Sequence, residues 1–65
     1  MSDVETLKAE IKKLSSQAVQ AKMDLHDLAE DLPIHWEQVP VIAQRAFETY
    51  QQLETKRALL RATGA

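Results

Sequence analysis

Residues 32–40 read Leu-Pro-Ile-His-Trp-Glu-Gln-Val-Pro, and this stretch contains both prolines of the 65-residue chain. Pro33 has no backbone N–H and disfavours helical geometry at the residue before it, so a preceding helix ends at about Asp31 or Leu32. Pro40 suits the first turn of a helix, where an N–H group has no helical partner. The stretch therefore predicts a corner between two helices.

Helical periodicity runs without interruption up to this corner. Ser2 and Glu5 have the spacing of a capping box, which predicts that helix 1 begins at about Asp3. Apolar residues then recur at alternating steps of three and four, which is a heptad pattern. These residues are Val4, Leu7, Ile11, Leu14, Ala18, Ala21, Leu25, Leu28 and Leu32. The pattern predicts one helix over about 3–31.

A second heptad pattern follows and predicts helix 2 over about 38–63, with Gly64 as its C-terminal cap. Its residues are Trp36, Val39, Ala43, Ala46, Tyr50, Leu53, Arg57 and Leu60. A corner of only 32–37 makes the two helices run antiparallel. The sequence therefore predicts an all-α fold with a single domain over 1–65, built as a two-helix antiparallel hairpin.

The two heptad stripes form the predicted seam between the helices. Counting outward from the corner places Ala21 opposite Tyr50 and Ala18 near Leu53, so small residues meet large ones, as close packing requires. Arg57 lies on the seam, where its stem is expected to pack while its charge reaches water beside Glu10.

Composition excludes several kinds of site. The chain has no cysteine, so disulfides and thiolate metal sites are excluded, and one glycine leaves no Gly-rich phosphate loop. No stretch approaches the roughly 20 apolar residues that span a bilayer, which predicts a cytoplasmic protein with no membrane partner. A net charge of −2 gives no general attraction to nucleic acid. Because a narrow hairpin offers no water-excluding cleft, we expect neither an enzyme nor catalytic residues.

Self-association is the expected source of additional stability, because a core of this size supplies only a few kcal/mol after conformational entropy is counted. Ile42 and Phe47 flank Ala43 and Ala46 on both sides, giving an apolar arc too wide for one neighbouring helix. We therefore predict a homodimer, a rod resembling a four-helix bundle, with Ile42 and Phe47 in the dimer interface.

His26 is the candidate metal ligand. It lies far from the seam and faces outward, and Met23, Asp27 and Glu30 lie on the same side of the helix. One such set rarely holds a transition metal, but a twofold dimer brings two sets together, which suits nickel, zinc or copper. Against this, an exposed helical histidine is ordinarily a plain surface residue, and no His-x-x-x-His pair is present. His35 at the corner is expected to serve local packing or solvation.

Residues 20–33 (Gln-Ala-Lys-Met-Asp-Leu-His-Asp-Leu-Ala-Glu-Asp-Leu-Pro), 36–37 (Trp-Glu) and 41–44 (Val-Ile-Ala-Gln) closely resemble the Rop-like small proteins encoded in nitrogen-fixation gene clusters. The resemblance covers nearly the whole chain, and the run Lys-Met-Asp-Leu-His-Asp-Leu is its most specific part. It implies a helical hairpin that dimerises, with His26 as a divalent-metal ligand contributed by each protomer. The ligand types around His26 favour nickel or zinc as the ion shared by two protomers.

For function, the resemblance implies a non-catalytic accessory protein of nitrogen fixation that binds the molybdenum–iron nitrogenase component or takes part in its cofactor assembly. Two alternatives stay open. One is RNA binding, as in plasmid-copy-number Rop proteins, which share the architecture of a paired hairpin. An RNA-binding face needs clustered Lys and Arg with stacking aromatics, whereas Phe47 and Tyr50 are expected to be buried. The other alternative is a metal sensor or carrier built on His26.

Overall fold

The computed structural model describes residues 3–64 and shows an antiparallel hairpin of two long helices. Helix α1 spans Asp3–Asp31 and helix α2 spans Val39–Ala62, and together they form a rod with extents of 47 × 15 × 14 Å. Ser2, the first residue of the predicted capping box, lies outside the described residues. Within residues 3–64, no helix is long and apolar enough to cross a membrane. The all-α hairpin predicted from the two heptad patterns is confirmed.

The corner is built from short-range backbone hydrogen bonds. The Leu32 N–H still donates to the carbonyl of Leu28, and the Ile34 N–H donates to the carbonyl of Asp31 at 2.9 Å. The Leu32–Pro33 peptide bond is cis, and His35 has a left-handed backbone with φ of +62°. A 3-10 helix follows at Trp36–Gln38, so α2 begins one residue later than the predicted 38.

Both ends of α2 carry the residues that helix geometry favours. Pro40 lies in the first turn, as predicted. Thr63 follows the last helical residue, and Gly64 has a positive φ of +74° while its N–H donates to the carbonyl of Arg61. A side chain disfavours this left-handed geometry, so glycine ends the helix at low strain, and the predicted cap at Gly64 is confirmed.

A small set of residues forms the core between the helices. The buried apolar residues are Ala18, Ala21, Leu28, Ala46 and Leu53. Three of the five are alanines, which lets the two backbones approach closely, while the two leucines fill the remaining space. The core therefore lies in the middle of the rod and towards the corner.

Six residues of the predicted seam are exposed instead of buried. Three of them, Leu32, Trp36 and Val39, lie at the corner, and the other three are Leu25 and Tyr50, which are 38% and 40% exposed, and Arg57. Next to these last three residues, Asp24, Thr49 and Lys56 are partly buried instead. At each of these three positions the partly buried residue is the one before the predicted residue, and on α2 this offset stays at one residue from Thr49 to Lys56, so the contact stripe is turned by a constant amount.

The side chains beside the seam follow this rotation. Ala21 lines a groove together with Thr49, whereas Tyr50 lines a different groove with Leu25. The following two pairs replace the predicted contact between Arg57 and Glu10. Lys56 Nζ lies 2.8 Å from Glu10 Oε2, and Arg57 Nη1 lies 3.4 Å from Glu54 Oε1 within α2.

Candidate functional site

His26 stands on the exposed surface of α1 between two carboxylates. Its Nδ1 lies 3.5 Å from Asp27 Oδ1, and its Nε2 lies 3.6 Å from Glu30 Oε1. Helix geometry explains the second contact, because residues four apart face each other on the surface. All three side chains are about 70% exposed, so the cluster is open to solvent. The outward position expected for His26 is the one observed.

The spacing of His26 and Glu30 can be compared with that of two ligands on one ion. Metal–ligand bonds of about 2.0–2.1 Å at a tetrahedral angle put two ligand atoms about 3.3 Å apart. The observed 3.6 Å is close to that value. Asp27 at Nδ1 lies where an outer carboxylate orients a ligating imidazole. Within residues 3–64, however, no group of three or more His, Asp or Glu side chains is arranged to hold a metal ion.

The other residues named from the sequence lie elsewhere or contribute less. Met23 is exposed on α1, one turn before His26. His35 lies in the corner, where it lines a groove that also contains Asp27 and Asp31. One chain therefore brings together His26, Asp27 and Glu30, and a second chain would have to complete a coordination sphere.

An apolar groove lies on one side of the hairpin. It is lined by Leu25 from α1 and by Ala46, Phe47 and Tyr50 from α2, with polar residues at one edge. Phe47 is one of the most exposed large apolar residues of the chain. We call these four residues the apolar groove. Rotation of the seam creates it, because Leu25 and Tyr50 turn away from the helix contact towards Phe47.

The two residues predicted for the dimer interface lie on opposite sides of the hairpin. Phe47 belongs to the apolar groove, while Ile42 is partly buried and lines the polar groove at the corner with Leu28 and three aspartates. A single flat partner on the apolar groove would contact Phe47 and leave Ile42 uncovered.

The surroundings of the aromatic residues bear on the RNA-binding alternative. Phe47 and Tyr50 are both exposed in the single chain. Tyr50 was expected on the seam between the helices, whereas the burial predicted for Phe47 is in a dimer interface. Their groove is lined at its edge by Gln51 and Glu54, with no Lys or Arg among its residues. Single-stranded nucleic acid binding requires aromatic stacking beside cationic groups, and this groove combines its aromatics with a carboxylate.

Comparison with known proteins places these features in a family. The family model described as Rop-like matches residues 2–65. A UPF0437 protein of Azorhizobium caulinodans is 56% identical over 61 residues, which cover 94% of this chain and 88% of that protein. A UPF0437 protein of Sinorhizobium fredii is 41% identical over 63 residues, covering 97% of this chain and 94% of the relative.

Two further matches concern gene position and structure. A Frankia alni protein described as a UPF0437 protein in the nifX-nifW intergenic region is 43% identical over 51 residues, covering 78% of this chain and 62% of that protein. An NMR structure of a structural-genomics target superimposes with a TM-score of 0.87 at 46% identity. It covers 94% of this chain and 86% of the solved one.

Proposed function

This chain belongs to the Rop-like family, and from that premise we propose that it is a non-catalytic accessory protein of nitrogen fixation. In this proposal it works as a homodimeric binding module for the molybdenum–iron nitrogenase component or for its cofactor-assembly proteins. The observation that carries the proposal is the position of the Frankia alni relative between nifX and nifW. The geometry agrees with binding, since the hairpin presents open grooves flanking a slender core.

The apolar groove supports the homodimer part of the proposal. Leu25, Phe47 and Tyr50 leave apolar surface open to water, while residues 3–64 bury only five apolar side chains between the helices. A second copy that covers this surface would add to stability that a small core supplies poorly. Phe47 is the interface residue on which the prediction depends most.

Sedimentation of the full chain tests the homodimer. We expect the unmodified protein to sediment as a dimer at micromolar concentration and Phe47→Ser to shift it towards monomer. Val19→Ser is the matched control, because Val19 is similarly exposed on α1 but does not line the apolar groove. A monomeric unmodified protein, or equal effects of the two substitutions, would contradict the homodimer.

Capture from nitrogen-fixing cells tests the accessory role. The tagged full chain should enrich the molybdenum–iron component or cofactor-assembly proteins above an unrelated helical bait carrying the same tag. Mass spectrometry of the captured fraction, with and without nuclease treatment, gives the readout. Equal recovery by both baits would contradict the role, and recovery of a defined RNA in place of those proteins would favour the RNA-binding alternative.

A metal-binding function is the second candidate, and the 3.6 Å separation of His26 Nε2 and Glu30 Oε1 favours it. Each protomer would supply these two ligands, and two protomers would complete a four-coordinate site for nickel or zinc. Asp27 would orient the imidazole through Nδ1. Such an ion would join the two protomers, as suits a metal sensor or carrier.

Calorimetric titration with nickel and with zinc decides this candidate. We expect one ion per two chains, loss of binding in His26→Ala, and weakening at low pH because a ligating imidazole must be neutral. His35→Ala is the matched control and should bind as the unmodified protein does. Equal binding by His26→Ala would show that His26 is not a ligand, and a stoichiometry of one ion per chain would show that two protomers do not share the ion.

A further inference from the structure

The corner end of the rod carries three large apolar side chains in water. Ile34, Trp36 and Val41 are between 62% and 65% exposed. None of them lines the apolar groove, so a partner confined to that groove would leave them uncovered. Single exposed apolar residues are ordinary, but three large ones within residues 34–41, at one end of the rod, make a candidate interaction surface. We call these three residues the corner tip.

Negative charge is concentrated in the stretch of sequence that forms the corner and leads into it. The stretch 24–38 contains five carboxylates and no Lys or Arg, which gives it a formal charge of −5. The whole chain carries −2, so the rest of the sequence carries +3. Asp24, Asp27 and Asp31 line one groove at the corner together with Leu28, Ile42 and Arg45. Arg45 lies 4.0 Å from Asp24 and leaves Asp27 and Asp31 without a cationic partner in that groove. The rod is therefore electrically polar, with its negative end at the corner.

These carboxylates lie where they weaken the isolated fold. Asp27, Glu30 and Asp31 lie in the last turns of α1, and its last turn contains no basic residue. The helix dipole disfavours negative charge at this end. Among residues 3–64, the Asp31 carboxylate has neither a hydrogen bond nor an ion pair. Residues that break a local stability rule are expected at functional sites.

From this combination we infer that the corner binds a basic amphipathic helix of another protein. Apolar side chains of that helix pack on the corner tip, and its Lys and Arg residues face Asp27 and Asp31. Charge complementarity selects this occupant. Contact between the corner tips of two copies, with no metal ion between the acidic segments, would bring two segments of −5 together, and nucleic acid would be repelled by the same charge.

The inference deepens the proposed function, because it names a surface and the chemistry of the partner. Its test uses a defined probe and no nitrogen-fixation protein. A failed peptide titration would therefore leave the accessory role to another surface. Conversely, failure to capture nitrogenase components would leave a positive peptide titration intact.

The single tryptophan of the chain makes the test direct. Trp36 is exposed in the corner tip, so its emission should shift to the blue when an apolar partner covers it. The probe is a synthetic helical peptide with leucines on one face and lysines on the other. The matched control peptide has glutamate at every lysine position. We expect saturable binding of the lysine peptide with an emission shift, and no saturation with the glutamate peptide.

Substitutions in the full chain test whether the peptide binds at the corner tip. The double variant Ile34→Ser with Val41→Ser should weaken the dissociation constant at least about tenfold, because it removes buried apolar contacts. Both residues are highly exposed in the free protein, so folding should be preserved. Val19→Ser, an exposed apolar residue far from the corner, should leave the dissociation constant unchanged.

Asp31→Asn gives a second readout, because it should weaken peptide binding and at the same time stabilise the fold. It should weaken lysine-peptide binding several-fold while raising the melting temperature by about 1 to 8 °C, since it removes an unfavourable charge at the end of α1. Equal binding of both peptides, no effect of the double variant, or an equal loss in Val19→Ser would overturn the inference. A changed sedimentation coefficient of the double variant alone would assign the corner to a second copy and would also overturn it.

Discussion

Substituting leucine for Ala21 tests the packing at the middle of the rod. Ala21 is 3% exposed, and Ala18 and Ala46 are buried with it between the helices. The larger side chain adds three carbon atoms at a position where small residues keep the two backbones close. Overpacking of this kind costs about 1 to 3 kcal/mol.

The cost converts into a measurable shift of the melting temperature. For a domain of 60–100 residues, 1 kcal/mol corresponds to about 4 to 8 °C, so Ala21→Leu should lower the melting temperature by about 4 to 24 °C. Circular dichroism at 222 nm during heating measures it, with all proteins at one concentration because self-association stabilises by mass action.

Ala9→Leu is the matched control for this experiment. Ala9 is exposed on the same helix, so the same chemical change should be nearly neutral there. Equal melting temperatures for the two variants would show that the added side chain escapes into the open groove beside Ala21. That result would refute the argument that alanines set the distance between the helices.

Three further predictions concern single positions. His35→Val should lower the free energy of unfolding, measured with denaturant, by about 1 to 2 kcal/mol because His35 has a positive φ, whereas His35→Gly should not lower it. Equal losses would show that the positive φ does not cause the effect. Leu53→Ala should cost about 2 to 5 kcal/mol and the exposed Leu59→Ala far less, as thermal unfolding would show; similar losses would place Leu53 outside the core. Lys56→Gln should cost about 0.2 to 1 kcal/mol at low salt and nothing at 1 M salt, because its 2.8 Å pair with Glu10 is partly exposed.

The sequence was sufficient to predict the helices, the corner and the caps, because each depends on local rules. Pro33 and Pro40 bracket the corner, and Gly64 takes the left-handed geometry that ends α2. The rotation of the helices about their axes was not predictable in the same way. Residues on both sides of each heptad stripe can face the other helix, and the local pattern does not decide between a stripe through Tyr50 and one through Thr49.

The sequence was likewise sufficient for one part of the candidate site, the exposure of His26, and insufficient for its side-chain contacts. The exposure of His26 follows from its distance to the heptad stripe, so sequence reasoning places it outside the core. Its contacts with Asp27 and Glu30 depend on side-chain rotamers, which helical spacing permits without fixing. The apolar groove was missed because Leu25 and Tyr50 were assigned to the seam. The wide apolar arc around Phe47 was the signal that could have located it.

The single corner also bears on the order in which this chain folds. Closing a loop costs about (3/2)RT ln n, so forming the pair of Glu10 and Lys56, 46 residues apart, costs about 0.7 kcal/mol more than forming that of Asp24 and Arg45, 21 residues apart. Contacts should therefore propagate like a zipper from the corner to the open end. Pulse-labelling hydrogen exchange during refolding would then find the amides near the corner protected first. The contacts between α1 and α2 can form one after another, starting with the pairs closest in sequence to the corner. Each new pair then closes only a short additional loop, so rapid folding is expected.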